Sequence, residues 1–215
     1  MNNLPLTFCG IFFTLVFAWI GIVLTNQIQY GALEPTTEQY DSETGGPIDG
    51  DPLYPQKPVG LAEQGKKVYM DLGCMYCHTQ QVRRKGYGSD YERALGRRQS
   101  VARDYIYQDR VLLGTMRTGP DLMAVGDRLS IPTWHHLHLY NPTITSQGSL
   151  MPPYAFLYEK RDIKGSVTSN FALKLPPEYA VEEGYEVVPG HRADALVAYL
   201  MSLKLDYDLP EAKRE

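Results

Sequence analysis

From Leu4 to Thr25 the chain reads LPLTFCGIFFTLVFAWIGIVLT, a stretch without a single charged side chain. About 22 residues in a helix rising ~1.5 Å each reach roughly 33 Å, enough to cross a hydrocarbon layer of about 30 Å. The stretch therefore reads as one membrane-spanning helix, and everything after it must fold beside a membrane. A cleaved signal peptide is the rival reading. It fits less well, because no basic region precedes the run, the run is long, and no small-residue cleavage site closes it. Cys9 stands too early for a lipid-acylation site and reads as a small apolar packing residue. The first basic residue is Lys57, so no positive cluster holds the N-terminus inside. The acidic stretch after the run is compatible with an exported C-terminal side.

Residues 26–59, including GALEPTTEQYDSETGGPIDGDPLYPQKPV, are rich in Pro, Gly and acids and have no apolar period, which predicts an extended, irregular tether. DSETGGPIDGD within it lacks the spaced ligands and closing glutamate of an EF-hand. With 215 residues and 43% apolar content, the chain has room for one ordinary globular core besides the anchor. The net charge of −4, with no long basic block, argues against a nucleic-acid partner. The 16 tyrosines can pack around a flat prosthetic group as well as against each other.

The globular part begins at Gly60. In GLAEQGKKVYMDLGC, Leu61, Gly65, Val68, Tyr69 and Leu72 form one helical stripe, with Gly73 as the stop. Near the C-terminus, HRADALVAYLMSLK carries a second stripe of Ala193, Leu196, Val197, Leu200 and Leu203. Plain core packing accounts for both. Between them lie short segments broken by Gly and Pro, and YEVVP at 185–189 is the best strand candidate. A mainly α, loop-rich domain is expected, of a kind that needs a bound group to complete its core.

Directly after the first helix comes GCMYCHTQ, with Cys74, Cys77 and His78 inside five positions. A thioredoxin-like dithiol belongs after a strand in a βαβ unit, and none is present here. Half a zinc site needs further ligands, and WHHLH offers His135, His136 and His138, but zinc leaves the placement of His78 beside Cys77 unexplained. Covalent haem explains it. Two thiols three residues apart add to the two vinyl groups of one porphyrin, and the histidine next to the second thiol is then placed under the iron. The other axial position points to Met151, in a helix-free loop between Gly148 and the stiffening pair Pro152 and Pro153. His135, His136, His138 and His191 are the other candidates. His/Met ligation fills the coordination sphere and raises the reduction potential, which suits electron transfer and not oxygen binding. MRTGPDL supplies a rigid turn whose Pro120 has a carbonyl for a ligating imidazole but no N–H. Arg117 beside it reads equally as a partner for a haem propionate or as a solvated surface charge.

GKKVYMDLGCMYCH, TGPDL, a methionine before proline and a closing ALVAYLMSL together resemble a class I cytochrome c. More narrowly, GCMYCHTQQVR, RTGPDLMAVGDRLSIPTWHHLHLYNP and GSLMPPYAFL behind a single anchor resemble the mono-haem subunit II of cbb3-type cytochrome c oxidases, the CcoO or FixO type. The resemblance covers roughly residues 60 to 160. It implies one covalently bound haem c attached through Cys74 and Cys77, axial ligands His78 and Met151, and Pro120 as carbonyl partner of the histidine.

It also implies a role. Electrons enter from a soluble periplasmic cytochrome c or a di-haem sister subunit and leave for the haem-copper catalytic subunit that reduces oxygen, so no oxygen-reducing centre is expected on this chain. The expected location is the bacterial inner membrane, single-pass, with the C-terminal domain in the periplasm. The small subunit of a nitric oxide reductase and a free membrane-tethered carrier are the alternatives. The expected organisation is an anchor at 1–25, a linker at 26–59, a cytochrome c domain at 60–204 with insertions at 86–113 and 157–190, and a tail at 205–215. The acidic linker and the insertion from Gly86 to Leu113 depart from the family pattern.

Overall fold

A computed structural model describes residues 3–215. The first element, α1, runs over Leu4–Tyr30, 27 residues with a mean hydropathy of 2.3, and is long and apolar enough to cross a membrane. It continues beyond Thr25 through TNQIQY and ends at Gly31, whose φ of 60° breaks the helix. Its large side chains, Phe8, Phe13 and Phe17 among them, are exposed. A helix apolar on every side and covered by no other part of the protein suits lipid surroundings.

The main core is built where α2 (Leu61–Asp71) crosses α4 (His191–Ser202). The stripe residues Val68, Tyr69, Ala193, Leu196, Val197, Leu200 and Leu203 are buried there, and the Tyr69 and Tyr199 rings meet edge to face at 5.4 Å. Gly65 is the crossing point. A Cβ on it would overlap the Ala195 carbonyl of α4, so no other residue permits this approach without displacement. Leu61, at the free end of α2, is exposed. Between these helices lies α3 (Pro132–Tyr140), which starts on a proline and covers the same core with Leu139.

YEVVP forms the strand expected of it, β2 (Tyr185–Pro189), with Val187 and Val188 buried. Its antiparallel partner β1 (Tyr158–Asp162) pairs Tyr158 with Pro189 and Asp162 with Tyr185. YEKRD has no apolar alternation, and only its Tyr158 is buried. The pairing with β2, not local preference, makes it a strand.

A second, smaller core holds Val82, Met123, Ala124, Leu205, Tyr207 and Leu209, flanked by Tyr54, Tyr91, Val101 and Tyr105. It joins the linker, the 86–113 insertion and the C-terminal tail. The linker has little regular structure, but it is not extended. It folds back through isolated bridges Thr36–Tyr54 and Tyr40–Pro47. Asp41 closes its turn by accepting from the N–H groups of Glu43 and Thr44 at 2.7 and 2.8 Å. Tyr54 then stacks on Tyr207 at 4.5 Å, and Glu38 accepts from the Asp208 N–H at 2.5 Å and from Arg214 at 2.9 Å.

Candidate functional site

Gly73, at φ 73°, ends α2 in the left-handed conformation, and one tight turn over Cys74–Tyr76 follows. The N–H groups of Cys77 and His78 both donate to the Cys74 carbonyl, at 3.2 and 3.0 Å. This turn sets Cys74, Cys77 and His78 together on the wall of a cavity of about 530 Å³. Tyr69, Leu122, Val125, Leu139, Leu196 and Leu200 give that cavity apolar sides. Burial pushes the Cys74 thiol up to about 11, as expected for sulfur surrounded by hydrocarbon.

His78 is held by one bond. Its Nδ1 lies 2.8 Å from the Pro120 carbonyl, and since a carbonyl only accepts, the proton sits on Nδ1 and the Nε2 lone pair is left free. Burial lowers the pKa of the ring, against the opposing pull of the Pro120 bond and Asp121, which favours the neutral form. Gly119 makes the approach possible, because a Cβ there would overlap the imidazole. TGPDL thus contributes both a bare glycine and a proline carbonyl to one ring.

Met151 lines the same cavity from a separate loop. Gly148 turns that loop at φ 73°, the Met151 N–H donates to Ser149 at 3.2 Å, and the Tyr154 N–H donates to the Leu139 carbonyl at 2.8 Å. The alternative ligands differ in placement. His136 and His191 are absent from the wall. His135 reaches it, but its Nε2 is engaged by the Leu129 carbonyl at 2.8 Å. His138 also lines the cavity, stacked on Trp134 at 4.7 Å with its Nδ1 2.6 Å from the Thr145 hydroxyl. Burial, with His78 and His135 nearby, lowers its pKa to about 4. Among the described residues no three His, Cys, Asp or Glu side chains converge as a metal cluster.

Arg117 is placed differently from either role suggested for it. It does not reach the cavity wall; it pairs with Asp90, donates to the Gln81 carbonyl at 2.5 Å and approaches Asp121 at 3.4 Å. The basic side chain on the wall is Arg128, which sequence reasoning missed. One Nη donates to the Asp121 carbonyl at 3.2 Å, while the buried Nε has no partner, and burial lowers the guanidinium's pKa. Its sequence signal is weak: in AVGDRLSIP an arginine beside Asp127 reads as an ordinary surface pair.

A helical core enclosing an apolar cavity, with two cysteines and a singly anchored histidine on one wall and a methionine brought in by a loop, is a cytochrome c domain. The donor set fits haem: soft and imidazole ligands for iron, hydrocarbon walls for a porphyrin face, and a buried guanidinium with an unpartnered Nε for a carboxylate. The family model described as cytochrome c oxidase, mono-heme subunit/FixO matches residues 51–175, and the chain belongs to that family. No curated protein sequence matches the chain.

Proposed function

We propose that this subunit relays single electrons to the oxygen-reducing subunit of its oxidase through one haem c, attached by thioether bonds to Cys74 and Cys77. Haem bound there supplies an iron centre that cycles between two oxidation states without making or breaking bonds to substrate. His78, whose Nδ1 is occupied by Pro120, and Met151 are the residues that would hold the iron, through Nε2 and the thioether. The Arg128 Nε, buried and unpartnered, is the group that neutralises a propionate. Arg117 acts behind the wall, not on it.

The reading rests on one observation above the others: the Pro120 bond leaves the His78 lone pair free on the wall that carries both cysteines. α1 anchors the domain in the bacterial inner membrane, with residues beyond it in the periplasm. Electrons arrive from a periplasmic cytochrome or a di-haem sister subunit and leave for the haem-copper subunit.

A haem stain on a denaturing gel tests attachment. The stain should persist in the wild type and vanish in Cys74→Ala/Cys77→Ala; a stained double variant sinks the assignment. Met151→Ala should keep the stain, lower the potential and admit carbon monoxide, and an unchanged optical spectrum rules Met151 out. Tagged purification from native membranes should bring b-type haem, copper and oxygen-reducing activity along. Recovery of the chain alone, or with nitric oxide reduction, contradicts the oxidase role.

A further inference from the structure

The segment after His78 is zipped to the turn that anchors its ring. The Gly119 N–H donates to the Cys77 carbonyl at 2.9 Å, and the Leu122 N–H to the Thr79 carbonyl at 2.8 Å. His78 and Pro120 face each other between these two bonds. Asp121, with 0% of its surface exposed, closes the zip with its side chain. Its carboxylate accepts from the Thr79 hydroxyl at 2.5 Å and the Gln81 N–H at 2.7 Å on one side, and from the Met123 N–H at 2.9 Å on the other. One side chain therefore fixes both segments that flank the His78–Pro120 bond.

A neutral side chain would bridge these donors at far lower desolvation cost, so a buried carboxylate here calls for a further reason. The charges around it are ordered. Asp121 meets Arg117 at 3.4 Å, Arg117 pairs with Asp90, and Asp90 takes Arg83 at 2.9 Å. The relative exposures of these side chains rise from 0% at Asp121 through 19% at Arg117 to 39% at Arg83, with Asp90 at 1% between the two arginines. Alternating charge thus runs from behind the axial ring, through the 86–113 insertion, to the surface. Charges interact most strongly where water is excluded.

We propose that Asp121 is the positioning residue of the His78 imidazole, clamping it to the Pro120 carbonyl, and that its negative charge, offset by Arg117, sets the electron affinity of the iron behind that ring. The inference rests on His78 being an axial ligand. A carboxylate near the iron favours the oxidised, more positive state and lowers the potential, whereas a guanidinium does the opposite.

The test uses the full chain, purified in detergent, with redox titration followed optically and thermal unfolding recorded in parallel. Asp121→Asn, which removes the charge and keeps an acceptor, should shift the midpoint potential upward. Arg117→Gln, a change on the partly exposed side of the chain of charges, should shift it downward, and it carries the sign test even where Asp121→Asn fails to mature. Thr79→Val leaves charge untouched and should speed solvent exchange of the His78 Nδ1 proton, the mark of a loosened clamp. Lowered unfolding temperatures with an unmoved potential, or shifts of the same sign in the two charge variants, overturn the proposal. Absence of haem from the wild-type chain overturns the reading beneath it, so the two failures are distinguishable.

Discussion

The cavity-bearing core and the smaller core beside it are held by opposite chemistry. In the first, two helices meet through Gly65 and bury rows of Val, Leu and Ala, with no buried ion pair between them among the described residues. In the second, Arg98 lies fully buried with Asp104, paired at 2.7 and 2.9 Å, and its guanidinium sits 4.7 Å from the centre of the Tyr207 ring. Arg98 Nε donates to the Tyr207 carbonyl at 2.9 Å, and the Tyr207 hydroxyl donates to Asp104 at 2.8 Å. Apolar burial tolerates many sequences and suits a site that is completed by a bound group. A buried ion pair tolerates few partners, because each member left alone is an uncompensated charge, and it fixes which segments meet. Here those segments are the insertion and the tail, and the linker joins them through Tyr54 stacked on Tyr207. The smaller core is therefore held by specific polar contacts, while the cavity is shaped by packing.

The sharpest way to break the second core is Asp104→Ala. Leaving Arg98 buried and unpaired should cost about 3–5 kcal/mol in denaturant unfolding. Replacing both residues with apolar ones of similar volume should recover most of that. Haem attachment should survive either change, since no cavity residue is touched. Loss of the haem stain in Asp104→Ala would show that the two cores fold as one.

Gly65→Val attacks the other core. Its side chain has nowhere to go at the α2–α4 crossing, and overpacking there should cost roughly 3 kcal/mol. Haem attachment should fall with it, because α2 delivers the cysteines. The linker should remain resistant to protease, and early cleavage within 33–54 would count against separate cores.

These contrasts follow what was legible in the sequence. Cys74, Cys77 and His78 could be read because the attachment chemistry requires them to be contiguous. Gly65 and the two helical stripes could be read because a helix repeats within a few residues. Met151 was singled out by local loop chemistry alone. Arg128 could not be found this way, since its approach to the cavity depends on how the turn Val125–Arg128 sits under α4, with Gly126 pressed on the Met201 carbonyl. Arg117 reads equally as a propionate partner or a solvated charge in the sequence, because its acidic partner Asp90 lies 27 residues away. The linker reads as a tether because its docking partners are distant in the chain: Arg103 bonds the Glu34 carbonyl 69 residues away, and Glu38 to Arg214 spans 176. Yet the tail did carry a signal. In LKLDYDL, Leu203, Leu205, Tyr207 and Leu209 alternate with polar residues, and all four are buried.

Tyr54→Ala tests the linker's attachment more gently. Removing the ring stacked on Tyr207 should cost about 1–2 kcal/mol. The readable effect is faster proteolysis between 33 and 54, with unchanged cavity spectroscopy. Equal protease resistance in variant and wild type would mean that the Glu38 contacts alone hold the strand.

Acid should separate the two regions by degrees, with no effect at neutral pH. His138, on the cavity side, stays neutral in the folded chain down to about 4, against 6.5 when unfolded. The unfolded chain therefore binds more protons between those values, and stability from this group is complete above 6.5 and lost as pH falls toward 4. Asp90 anchors the insertion. Burial works to raise its carboxyl, but Arg83 and Arg117 more than offset that and hold it at about 2, below the ordinary 3.8. Its contribution is therefore complete above 3.8 and disappears only as pH falls toward 2. Unfolding free energy measured against pH should show two windows, the upper reduced by His138→Asn but not abolished, since burial lowers His78, His135 and His136 as well, and the lower reduced by Asp90→Asn. A single window removed by both substitutions would mean that cavity and insertion titrate as one unit.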